Sequence, residues 1–136
     1  MTESTDDIRE YDVGNIHLVD TPGLFGFKET VNKEKYKDIT KKYISEANIV
    51  LYVMNSDNPI KESHKEEIQW LFKDLNLLPR TVFILSCFDN VADIEDDSDY
   101  NGMLKIKRDN VLKRLENFEV IHAEESQKLP VVAVAA

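Results

Sequence analysis

Two acidic residues stand directly after apolar runs. In "IHLVDTPG" the run from Ile16 stops at Asp20, followed by Thr21, Pro22 and Gly23; in "TVFILSCFD" the run stops at Ser86-Cys87-Phe88-Asp89. A carboxylate at a strand end is a hard oxygen donor that can hold Mg²⁺ through water. Gly23 has no Cβ, so a backbone N–H there can approach a terminal phosphate. The same four residues also make an ordinary Asp-Thr-Pro-Gly turn. Asp89 can accept two hydrogen bonds at once, matching the ring N–H and the exocyclic amine of guanine, a donor pair that adenine lacks. Its alternative is a loop cap. The last apolar run ends in Val134-Ala135-Ala136, where small residues let backbone N–H groups reach a base carbonyl.

Strands must place these groups. "DDIREYDV" (Asp6 to Val13) alternates apolar and polar residues, Gly14-Asn15 reads as a turn, and "NIHLVD" follows as a second strand able to close a hairpin. "NIVLYVMN" (Asn48 to Asn55) and "TVFILS" (Thr81 to Ser86) are continuous apolar runs, as expected of strands covered on both faces. "VVAVAA" (Val131 to Ala136) is the fifth strand. Between them Val31, Ile39, Tyr43 and Ala47 share one helical face. Ile60, His64, Ile68, Leu71 and Leu75 form a cleaner stripe, with Ser63 and Glu66 spaced as a capping box. Leu104, Val111, Leu115 and Phe118 mark a third helix after an acidic loop from Asp89 to Asn101. Such alternation implies an α/β fold with a parallel sheet wound on both faces. Ligands of such sheets bind at the carboxyl ends of the strands, where Asp20, Asp89 and Ala135 stand.

Composition narrows the partners. The 136 residues suit one domain spanning 1–136, and a net charge of −9 leaves no electrostatic footprint for nucleic acid. The single cysteine, Cys87, cannot form an internal disulfide and fits a reducing compartment. No signal-peptide pattern opens the chain, and the apolar run from Ile49 to Met54 is too short to span a bilayer.

Taken together, the order and the strand-end positions resemble a GTPase G domain. Asp20-Thr21-Pro22-Gly23 matches the Asp-x-x-Gly switch motif in its Asp-Thr-Pro-Gly form. Ser86-Cys87-Phe88-Asp89 stands where the Asn/Thr-Lys-x-Asp base-reading motif belongs, and Ala135-Ala136 falls at the Ser-Ala motif. "DTPGLFGFKE" and the long helix after it look most like the bacterial dynamin-like GTPases. The resemblance implies a three-layer P-loop NTPase-like G domain with a mostly parallel sheet. It also implies GTP or GDP as ligand, Mg²⁺ as cofactor held through water by Asp20, a γ-phosphate sensor at Gly23 and guanine selection by Asp89. For the intact protein it implies GTP hydrolysis coupled to membrane remodelling or vesicle-linked secretion, a cytoplasmic or peripheral-membrane location, and membrane or sibling-chain contacts through regions beyond this chain.

The sequence departs from that family in four places. None of its glycines, at 14, 23, 26 and 102, opens the Gly-x-x-x-x-Gly-Lys-Ser/Thr phosphate loop. The expectation is a G domain truncated before its first strand, phosphate loop and first helix, inactive on its own. Cys87 occupies the place of the lysine that covers the base. Leu24 replaces a water-orienting glutamine. The switch threonine has only Thr2 and Thr5 as candidates. These departures keep a second reading open, a non-catalytic G-domain remnant acting as a protein-interaction module.

Other patterns carry less. "DSDYNG" (Asp97 to Gly102) copies half a calcium loop, but its twelfth position is Arg108 where a glutamate is needed, so a solvated segment with a helix cap is expected. His17, His64 and His122 lack metal-ligand spacing, and His17 reads as a packed surface residue. Trp70 and Phe72 read as core. Lys28, Lys33, Lys35, Lys37, Lys41 and Lys42 alternate with acids and read as a solvated face.

Overall fold

Gly14 sets the first element. Its φ of +62° is open to glycine at little cost, and it lies between strands β1 (Arg9–Val13) and β2 (Ile16–Asp20). The strands pair antiparallel with Val13 opposite Ile16, so Gly14 and Asn15 form a two-residue hairpin loop, as the sequence predicts. The computed structural model describes residues 8–21, 33–122, 124 and 128–135, in two units divided at Ala47. In the first, the cross-strand pairs Arg9–Asp20, Tyr11–Leu18 and Val13–Ile16 occupy one face of the ribbon. His17 occupies the other. Instead of packing, its exposed ring is held between Asp12 (2.7 Å from Nδ1) and Glu10 (2.8 Å from Nε2), and these hydrogen bonds, Asp12 first, raise its pKa. Helix α1 covers Lys33–Glu46 and buries Thr40. Val31 and the side chain of Ile39 lie outside the described residues.

The second unit is built on a parallel sheet in the order β3 (Val50–Asn55), β4 (Thr81–Ser86), β5 (Val131–Ala133). One sheet face is packed. Thr81, Phe83 and Leu85 are buried, and Tyr52 and Phe83 meet Phe72 from the helical side at centroid distances of 5.7 and 5.4 Å. Such ring pairs add about 0.5–1.5 kcal/mol each beyond the area they bury. The opposite face is less buried than the expectation of strands covered on both sides implies. Val53, Ile84 and Val132 lie in register across it, yet Val53 is 61% exposed, Leu51 50% and Val132 44%. A continuous apolar run reports hydrophobic side chains on both faces; it does not report whether an element covers each of them.

The second helical segment runs as a 3₁₀ turn at Glu62–His64, helix α2 at Lys65–Gln69 and a π-helical turn at Trp70–Asp74. Its start is not the Ser63/Glu66 capping box. His64 Nδ1 accepts the Lys61 N–H at 3.2 Å, a role that needs a bare ring nitrogen, and burial, then Lys61, lowers the His64 pKa. The π turn, marked by Leu75 N–H donating to Trp70 O at 2.9 Å, lets the consecutive residues Trp70, Leu71 and Phe72 all be buried. The Trp70 and Phe72 core assignment therefore holds. Helix α3 (Asp97–Asn117) begins earlier than the apolar stripe indicated, because Asp96 caps it by accepting the Ser98 and Asp99 N–H groups. Gln69 Nε2 ties the second helical segment to Phe118 O at 3.0 Å.

Among the described residues the Tyr52 hydroxyl, like the Thr40 hydroxyl, is enclosed without a hydrogen bond, and burial, then Glu67, pushes the Tyr52 pKa well above the usual phenol value. Tyr52→Phe keeps the ring contacts and deletes the stranded hydroxyl. It is expected to raise unfolding free energy by about 1 kcal/mol in urea titrations. A loss of stability would show that the hydroxyl is bonded in solution.

Candidate functional site

Asp20 is the last residue of β2, exposed, with its Cα opposite Arg9, and Thr21 follows half-buried. Pro22, Gly23, Leu24, Lys28 and Ala136 lie outside the described residues, as do Thr2 and Thr5. A lone carboxylate suits Mg²⁺, which keeps most of its waters and takes one or two protein carboxylates alongside substrate phosphates. No group of three His, Cys, Asp or Glu among the described residues is placed to hold a metal by itself. Asp97, Asp99 and Asn101 are wound into the first turns of α3, and Asp99 accepts the Asp93 N–H at 2.8 Å, so their backbone does not wrap an ion as a calcium loop does.

The second unit gathers the other residues singled out in the sequence. Ser86 ends β4, and its hydroxyl donates to Met54 O at 3.0 Å. Its carbonyl accepts both the backbone N–H of Ser56 (3.1 Å) and the Ser56 hydroxyl (2.6 Å). Ser86 thus fastens the ends of β3 and β4 together. Its partner Ser56, fully buried, was missed; a serine one residue past a strand carries no motif. Cys87 then turns the chain with φ +54°, a left-handed conformation that costs a residue with a Cβ roughly 1–2 kcal/mol. Phe88 is fully buried, stacks edge-on against Tyr100 at 5.1 Å and donates its N–H to Val134 O at 2.9 Å. Val134 in turn donates to Leu85 O at 2.9 Å.

The loop after β4 and the segment after β5 are therefore bonded to one another at the carboxyl edge of the sheet, with Ala135 next in the chain. Asp89 sits exposed in the 3₁₀ turn Phe88–Asn90, closed by Asn90 N–H to Cys87 O at 3.0 Å. A buried phenylalanine anchors the loop, and the carboxylate that follows it is exposed. The exposed Lys41 and Lys42 lie on α1, fitting a solvated face; the side chains of Lys33 and Lys35 are not among the described ones.

A family model described as the dynamin family matches residues 5–87. The chain belongs to the dynamin family. Its fold is also similar to the solved structure of LeoA, a bacterial dynamin GTPase from ETEC, with a TM-score of 0.77 and 34% identity. That likeness covers 98% of this chain and 24% of the LeoA chain, so the chain spans about a quarter of that relative's length. No curated protein matches it. The dynamin-family match bears out the resemblance read from Asp20-Thr21-Pro22-Gly23 and its neighbours: a mixed α/β fold with a parallel three-stranded sheet, of the bacterial dynamin-like G-domain type. Among the described residues, no helix is long and apolar enough to cross a membrane.

Proposed function

We propose that residues 1–136 are one segment of a G domain and carry the switch and base-reading side of a GTP site. Asp20 holds Mg²⁺ through water, the Thr21-Pro22-Gly23 backbone meets the γ-phosphate, and Asp89 accepts the two guanine donors. Cys87 and Phe88 shape the base loop, Ser86 fixes it to β3, and Ala135 and Ala136 approach the base carbonyl. Bound Mg²⁺ supplies positive charge against the phosphates. The hydrogen bond from Phe88 N–H to Val134 O supports this reading most, because it joins two sequence-distant segments that the base needs together. In the intact protein the same residues serve GTP hydrolysis, and nucleotide state is coupled to membrane remodelling or vesicle-linked secretion.

Nucleotide titration tests the reading. The chain alone has no phosphate-loop motif, so its amides and lysine donors for phosphate are missing from the sequence and no saturable GTP binding is expected at micromolar concentration. Joined to a dynamin-family segment that carries the phosphate loop, it is expected to bind GTP and GDP over ATP. Equal binding of ATP would reject the role of Asp89. Cys87, standing where the family resemblance expects a lysine, favours the second reading, a partner-docking remnant. Failure of the joined protein to bind any nucleotide would support it.

A further inference from the structure

Away from Asp20 and Asp89, the second unit holds a cavity of about 350 Å³ between α3 and the segment 57–60. Its cations come from one side of α3. Lys107, Asn110, Arg114 and Asn117 recur at spacings of three and four residues, so they share a helical face, and Lys113 borders it. The floor is apolar: Ile60 and Val111 are 4% and 1% exposed. Two of the cations are held in place. Lys107 Nζ donates to Asp57 O at 3.1 Å, which pins the facing segment to the helix, and Arg114 Nη1 donates to Glu62 Oε1 at 3.1 Å. Each keeps further N–H groups to donate. Lys113 is exposed and has no ion pair among the described residues. Asp57 is the one acidic residue of the lining, against three cations, in a chain whose net charge is −9.

We infer that this cavity is an oxyanion site that takes a phosphate group, either of a free phosphate ester or of a lipid headgroup. Ammonium, guanidinium and amide groups line one volume, and a tetrahedral anion with several acceptor oxygens can accept from all three donor types. The volume suits a small ligand. Nothing in this inference uses the GTP site.

The test is an NMR titration of the chain with inorganic pyrophosphate, following the backbone amides. Saturable shifts are expected over residues 107–117 and 57–60. The double variant Lys113→Gln, Arg114→Gln removes two charges from partly exposed positions and is expected to weaken pyrophosphate binding about fivefold or more. The amides of residues 20–21 and 86–89 are expected to stay unshifted, which separates this cavity from the nucleotide reading. Absence of shifts at these residues in the unmodified chain, or equal affinity in the double variant, would overturn the site. Co-sedimentation with vesicles containing anionic phospholipid, competed by pyrophosphate and lost in the double variant, identifies a headgroup as the source. Pyrophosphate binding without co-sedimentation identifies a free phosphate ester.

Discussion

Asp89→Asn, made in a nucleotide-binding form of this G domain, is expected to weaken GTP binding about 100-fold. On the proposed reading the carboxylate offers two acceptor oxygens to the guanine ring N–H and exocyclic amine. Hydrogen bonds to a charged group contribute about 1.5–3 kcal/mol each. Asparagine keeps one acceptor and turns an N–H toward a donor, so about 3 kcal/mol is lost, and each 1.4 kcal/mol is a factor of ten. The chemistry also fixes the sign for a second ligand. Xanthine carries a carbonyl where guanine carries its amine, so the asparagine N–H finds an acceptor and xanthosine triphosphate is expected to gain. Competition titrations with GTP, xanthosine triphosphate and ATP check both halves. Because Asp89 is exposed in its 3₁₀ turn, the same substitution is expected to leave the unfolding midpoint in place. A 100-fold effect shared equally by ATP would mean that the loop, and not the base, had been disturbed.

What the sequence made legible follows from local rules. Gly14-Asn15 between two alternating runs names a hairpin, since the turn chemistry and the period-2 pattern agree. The apolar runs at 50–55, 81–86 and 131–133 name parallel strands, and the C-terminal ends of the last two place Asp89 and Ala135 on one edge of the sheet. What stayed hidden depends on contacts between distant residues. The Trp70–Asp74 π turn has no composition cue, and an unbroken α stripe would bury Leu71 and Leu75 instead of Trp70, Leu71 and Phe72 in succession. Lys61 and His64 cap the second helical segment in place of Ser63 and Glu66, because the imidazole reaches the Lys61 N–H. The left-handed Cys87 is also invisible in sequence. A cysteine is not a residue expected at positive φ, and only the anchors on either side hold it there.

Those anchors supply the largest expected loss of stability. Phe88→Ala is expected to cost about 3–5 kcal/mol, the range for emptying a fully buried aromatic site. It removes the edge-on contact with Tyr100 and the side chain that seats the Phe88 N–H against Val134 O. Domains of this size have only about 5–15 kcal/mol to lose, so urea unfolding should register a marked fall in midpoint. Phe88→Leu fills most of the volume and is expected to lose far less. The consequence reaches the loop. With Phe88 unseated, the roughly 1–2 kcal/mol held in the left-handed Cys87 is no longer opposed by packing, and the backbone relaxes. The half-buried Cys87 thiol should then react faster with a maleimide in Phe88→Ala than in the unmodified chain, at urea concentrations well below the unfolding transition. Asp89 follows Cys87 by two residues, so on the proposed reading the position of the base-reading carboxylate depends on a buried phenylalanine. Unchanged thiol reactivity alongside the expected loss of stability would separate the two, leaving Phe88 as core and the loop geometry to be held by the β3–β4 clamp at Ser56 and Ser86.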